Sequence, residues 1–196
     1  MGELIKQKIA KKSSKSVSIF ESLIPGETFM TVKYLTPKDY IKMYWDAIDV
    51  KTNASTRGNI FEYIIYTLLY REGIKPFYTQ AKVAFVPNVN FDTLLYCQST
   101  PVSLSLKTSL RERYKQADLE AIALKYVHRK SRCFLLTMDS KEAAVQKAKI
   151  TSGDIIGLDQ IIDCNTEDIN DLIASLKKIT FTQSTKIEIV EGYLVV

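Results

Sequence analysis

Cysteine is scarce and scattered in this chain. Cys97, Cys133 and Cys164 lie far apart and show no Cys-x-x-Cys or Cys/His spacing, which argues against a structural zinc site and against a disulfide framework. Free cysteines beside apolar runs behave as small buried hydrophobes, as expected in a reducing compartment. No apolar stretch has the length of a signal-peptide core or a membrane span, so a cytoplasmic protein is expected. No internal repeat or low-complexity tract interrupts the chain. The lone tryptophan, Trp45, recurs with Ile41, Tyr44 and Ile48 at helical spacing, which assigns it to packing rather than to base stacking. The lone histidine, His128, falls near the end of a predicted helix, where it suits the helix dipole better than a general base.

What is present is an ordinary globular composition, with 46% apolar and 25% charged residues in 196, enough for one domain with a sizeable core. A formal net charge of +5 favours an anionic partner without proving one. Residues 1–16 read as a basic arm or a solvated end. Thr36 and Pro37 open a predicted helix over residues 36–50 as N-cap and first helical position. Residues 51–57 are a polar linker, and residues 58–70 (GNIFEYIIYTLLY) are apolar nearly all round, as in a helix buried on most sides. Glu62 is the exception there, and a buried carboxylate needs a cation, a donor or a metal, or must become neutral.

Three strands are predicted next, over residues 78–86, 91–97 and 102–107, separated by a turn at Pro87 and Asn88 and by a hairpin loop at residues 98–101. Asp92, Leu94 and Tyr96 share one face of the second strand, and Ser103, Ser105 and Lys107 share one face of the third. If these strands pair, Asp92 and Lys107 project toward one spot. A charged helix is predicted over residues 110–129, a buried strand over 132–138, and a helix over 140–149 capped by Ser140. Strand segments follow over 153–158 and 161–163, then a helix over 167–178 and a last strand over 186–196. The domain organisation expected is an N-terminal helical elaboration over residues 1–55, available as a DNA-contacting arm, and a continuous core over residues 56–196.

Hydrolysing a phosphodiester calls for a metal that binds a phosphate oxygen, activates water and offsets the charge of the transition state. Hard oxygen ligands suit magnesium, and Glu62 and Asp92 supply them if the helix packs beside the strand. With Lys107 added, the pattern resembles the PD-(D/E)xK nuclease superfamily, in particular its type II restriction-endonuclease-like branch. Glu62 in GNIFEY looks like the family's helix acid, Asp92 in NFDTLLY like its strand acid and Lys107 in SLK like its lysine. Phe91 stands where the family has proline, and Ser105 stands where it has the second acid. Glu120 on the following helix is the candidate for a relocated acid, with Glu112 behind it, and Gln116 is the alternative polar helix residue.

The resemblance implies an α/β (α+β) fold with a central mixed sheet flanked by helices. It also implies magnesium, replaceable by manganese, held by Asp92, Glu62 and Glu120 in a DNA endonuclease that cuts both strands as a homodimer. Catalysis would rest on Glu62, Asp92, Lys107 and Glu120. Thr108, Ser109, Arg111, Arg113, Lys115 and Gln116 are the candidate DNA contacts, since hydroxyls and arginines at a helix N-terminus suit phosphates. A junction-resolving or repair nuclease, and a catalytically silent binding module that keeps Ser105 in the acid's place, stay open as alternatives.

Overall fold

The computed structural model describes residues 2–86, 88–97, 100–184 and 189–196. Pro87 of the expected turn, Gln98 and Ser99 of the expected hairpin loop, and residues 186–188 of the expected last strand lie outside the described residues. A mixed six-stranded sheet is flanked by helices on both faces. Three short helices come first: α1 (Glu3–Lys6), α2 (Lys15–Ser22) and α3 (Pro37–Asp46). The helix α4 (Ala54–Arg71) leads into the meander β1 (Phe77–Val83), β2 (Phe91–Leu95) and β3 (Val102–Leu106). Then follow α5 (Arg113–Val127), β4 (Arg132–Thr137), α6 (Ser140–Ser152), β5 (Gln160–Asp163), α7 (Asp168–Leu176) and β6 (Ile189–Val195). The strand order is β5-β4-β3-β2-β1-β6. The meander and β6 pair antiparallel, whereas β3, β4 and β5 run parallel through the α5 and α6 crossovers.

Alternation along the strands divides the core into two halves. Phe134 and Leu136 of β4 pack with Leu104, Leu106 and the α4 side chains Ile60, Phe61, Ile64 and Leu68. Cys133 and Leu135 face the other way, onto Ala117, Ala121 and Leu124 of α5 and Ala143 of α6. Because β4 is covered on both faces, RCFLLT reads as an unbroken apolar run instead of an alternating one. The free cysteines fit this picture, with Cys133 and Cys164 buried and Cys97 half-buried, and burial pushes the Cys133 thiol up to about 11. Among the described residues no helix is long and apolar enough to cross a membrane.

Several expected boundaries shift, each for a local reason. Residues 2–16 are not a loose end: Leu4 is fully buried, and its N–H donates to the Glu21 carboxylate at 2.8 Å. The polar run 51–57 is only half a linker. Asn53 accepts from the Thr56 N–H at 2.9 Å and starts α4 at Ala54, while the Arg57 guanidinium lies over the Trp45 ring at 4.6 Å. The first strand stops at Val83, where the chain turns through Phe85 at φ 64°. The cap of α6 is Asp139, accepting from the Glu142 N–H at 3.0 Å, rather than Ser140. No strand forms over 153–158, because Gly153 ends α6 at φ 84° and the Asp118 carboxylate takes the Gly157 and Leu158 N–H groups at 2.6 and 3.1 Å.

Candidate active site

The β2–β3 register, Thr93 to Leu104 and Leu94 to Ser103, carries Asp92 opposite Ser105. Lys107 stands one residue beyond β3, and its N–H continues the parallel pairing by donating to the Leu136 carbonyl at 3.1 Å. From there its ammonium reaches Asp92 Oδ2 at 2.7 Å. The same oxygen accepts the Leu106 N–H at 2.8 Å, with the Ser105 hydroxyl at 3.5 Å. Both side chains are largely buried, 12% exposed for Lys107 and 13% for Asp92. Lys107 is therefore not a solvated edge charge, and the two residues do meet at one spot.

Helix α4 packs on the sheet so that Glu62 lies beside β2. The Tyr66 hydroxyl donates to the Asp92 carbonyl at 2.9 Å and stands 3.2 Å from Glu62 Oε2. Being four residues after Glu62, Tyr66 shares its helix face. The Gln80 amide lies 3.5 Å from Glu62 Oε2, and Gln80 in turn accepts from the Asn90 amide at 2.7 Å. Gln80 reaches this position from a left-handed backbone, φ 50°. Burial pushes the Glu62 carboxyl up to about 7; the Asp92 charge adds to this, and the Tyr66 hydroxyl, Lys107 and Gln80 oppose it. Burial, followed by the charges of Glu62 and Asp92, also raises the Tyr66 phenol well above its ordinary value. Sequence reasoning missed Tyr66, Gln80 and Asn90. The helical spacing from Glu62 was a usable signal for Tyr66, whereas the other two depend on how β1 and β2 pair.

On the opposite face, Glu120 of α5 borders a small recess together with Asp92 and Ser105. Burial raises its carboxyl; the Gln116 amide, donating at 2.7 Å, and Lys107 pull it down, and Asp92 raises it further. Glu120 therefore feels both members of the central pair. The three candidate carboxylates are nonetheless not drawn into one protein cage: among the described residues no three His, Cys, Asp or Glu side chains stand close enough to share an ion. A hydrated magnesium ion would not need such a cage, because it keeps several waters and takes only one or two carboxylates. The mutual repulsion of Glu62 and Asp92 is also what a divalent cation relieves.

A cleft of about 570 Å³ opens beside this group, bounded by Ser55, Asn59 and Glu62 of α4 and by Lys107, Thr108, Ser109, Arg111 and Arg113. The predicted helix start at residue 110 is corrected here. Residues 110–112 form a turn, held because the Leu110 and Arg111 N–H groups both donate to the Glu142 carboxylate, the latter at 2.9 Å. Helix α5 begins at Arg113 without a side-chain cap, so the hydroxyls and Arg111 belong to a loop and not to a helix N-terminus. Lys115 pairs with Glu112 at 2.5 Å and Gln116 bonds Glu120; neither borders the cleft. His128 caps the far end of α5, as its position in the sequence suggests.

A mixed six-stranded sheet between helical layers, with the meander first and the parallel strands after it, is a restriction-endonuclease-like α/β fold. A solved structure that resembles this chain is the restriction endonuclease PspGI in a complex with substrate DNA, with a TM-score of 0.53 and 17% sequence identity over 94% of this chain and 83% of that one. At that identity the likeness is one of fold. No protein-family model and no curated protein sequence matches the chain.

Proposed function

We propose that this protein is a magnesium-dependent endonuclease of the PD-(D/E)xK superfamily, a type II restriction enzyme that acts in the cytoplasm on double-stranded DNA as a homodimer. The observation that carries the reading is the 2.7 Å contact of Lys107 with Asp92 beside the buried Glu62, at the edge of a cleft whose other charges are Arg111 and Arg113. Asp92 and Glu62 would hold the ion, with Glu120 supplying the acid that Ser105 cannot. Manganese, another hard divalent ion, would substitute. Magnesium would supply Lewis acidity toward a phosphate oxygen and toward the attacking water. The Lys107 ammonium, with three donors and no acceptor, orients a water and takes up negative charge on the phosphate as the bond breaks. Tyr66 and Gln80 fix the Glu62 carboxylate, and the loop carrying Thr108, Ser109 and Arg111 receives the backbone phosphates together with Arg113.

A second reading has its own observation. Ser105 Oγ lies 3.5 Å from Asp92 where the family has an acid, which suits a nucleic-acid-binding module without catalysis. Incubation of plasmid DNA with the protein and magnesium decides between them. Nicking and linearisation that disappear in Asp92→Ala and Lys107→Ala support the enzyme. DNA binding without cleavage in both magnesium and manganese overturns it in favour of the binding module. Mapping the ends of digested genomic DNA then separates restriction, with ends at one motif, from junction or repair cleavage.

A further inference from the structure

Glu62 belongs to two openings. The cleft with Arg111 and Arg113 follows α4 from Ala54 to Glu62. A second recess of about 260 Å³ continues along the same helix from Glu62 to Tyr66, between the loop carrying Lys11 and Lys12 and the β1/β6 edge at Gln80 and Tyr193. The twelve helical steps from Ala54 to Tyr66 span about 18 Å, the axial length of about five phosphates of one DNA strand. Among the described residues Glu62 is the one carboxylate bordering each opening, and cations stand on either side of it.

The two lysines are displayed from an anchored backbone. Ile9 and Ala10 are buried, and their N–H groups both donate to the Leu4 carbonyl. Beyond them Ser14 caps α2 by accepting from the Val17 N–H at 3.2 Å. Lys11 and Lys12 themselves are exposed. The Lys11 ammonium lies over the Tyr193 ring at 5.3 Å, and the nearby Glu191 is already paired with Lys82 at 2.7 Å. Lys12 makes no ion pair among the described residues. Lys11 is oriented by the Tyr193 ring, although it also feels the Glu191 charge, and Lys12 projects from the same anchored backbone, so both ammonium groups are open to an anion.

We infer that Lys11 and Lys12 form a second phosphate-binding lip, so that one nucleic-acid strand follows α4 across Glu62 with cationic contacts on both sides of the site. This rests on the nucleic-acid reading above. Each neutralised phosphate contributes about 0.9 to the slope of log affinity against log salt on duplex DNA. Fluorescence anisotropy with a short mixed-sequence duplex, in EDTA to prevent cutting, reads that slope. Lys11→Ala/Lys12→Ala is expected to lower its magnitude by about 1.8, as Arg111→Ala/Arg113→Ala does, and Lys11→Arg/Lys12→Arg to restore it. The comparison is Arg129→Ala/Lys130→Ala. These exposed residues precede β4, and because β3 and β4 run parallel they stand at the sheet end opposite Lys107; this variant keeps the native slope. Absence of salt-sensitive binding by the native chain overturns the nucleic-acid reading and the lip with it. A native slope in Lys11→Ala/Lys12→Ala, alongside a reduced one in Arg111→Ala/Arg113→Ala, overturns the lip alone. An equal reduction in Arg129→Ala/Lys130→Ala also overturns it, since the effect would then be one of net charge.

Discussion

A carboxyl that titrates at about 7 in the folded protein and at about 4.3 in an unfolded chain makes stability depend on pH in a definite direction. The folded state holds the Glu62 proton more tightly, so its stabilising contribution is fully present below the unfolded value and is lost as pH rises through about 7. Glu62→Gln replaces the charge with a neutral amide of the same shape. In EDTA the variant is expected to be more stable than the native protein by about 3–4 kcal/mol at pH 8, with the difference vanishing near pH 4. Urea unfolding at the two pH values measures this, and equal stability at pH 8 would show that the carboxylate is well solvated. The position of Glu62 on an apolar helix announced this tension in the sequence. Its partners were less visible, because Gln80 and Asn90 meet it only through the pairing of β1 with β2. The Asp92–Lys107 contact was legible because it needs only strand periodicity and a hairpin.

The loop between β3 and α5 shows how an element can be positioned from outside itself. Glu142 opens α6, yet its carboxylate receives the Leu110 and Arg111 N–H groups, so the α6 start fixes the segment that carries Thr108, Ser109 and Arg111. Leu110 is fully buried, and its N–H would lose its partner in Glu142→Ala. That change is expected to destabilise the protein by about 1–2 kcal/mol. It should also speed amide exchange at Leu110 and Arg111, while Glu142→Gln, which keeps an acceptor oxygen, loses less. Exchange rates unchanged in the alanine variant would mean that the loop is held by its own turn. This tie explains the pattern of success at this scale. The order of α4, three strands and the alternating helices and strands that follow was readable from periodicity. The starts of α4 and α6 are set by local caps, Asn53 and Asp139, each accepting from the N–H three residues on, a signal present in the sequence. The start of α5 at residue 113 was not readable, because the turn before it is tied to another helix. Asp118 works in the same way on residues 157 and 158, where an apolar stretch looked like a strand.

At the scale of the molecule, the first helices and α4 share a core. Leu4, Val17 and Phe20 are buried in the same cluster as Ile60, Phe61 and Ile64, and Phe20 stacks on Tyr44 with ring centroids 5.0 Å apart. The Tyr70 hydroxyl donates to Gln7 at 2.8 Å, tying α4 back to the first turn of the chain. Burying each such side chain contributes about 1.5–3 kcal/mol. Losing Leu4, Ile9, Val17 and Phe20 together therefore removes an amount comparable with the whole stability of a domain, about 5–15 kcal/mol. A chain comprising residues 23–196 is accordingly expected to lose cooperative thermal unfolding and near-ultraviolet circular dichroism, even though the whole sheet is retained. A sharp transition within a few degrees of the full chain would show instead that the segment is a detachable arm. The outcome bears directly on Lys11 and Lys12, which lie between α1 and α2. If the segment is part of the core, its lysines are fixed relative to Glu62 by the packing of α4, and their distance from the site is a property of the fold.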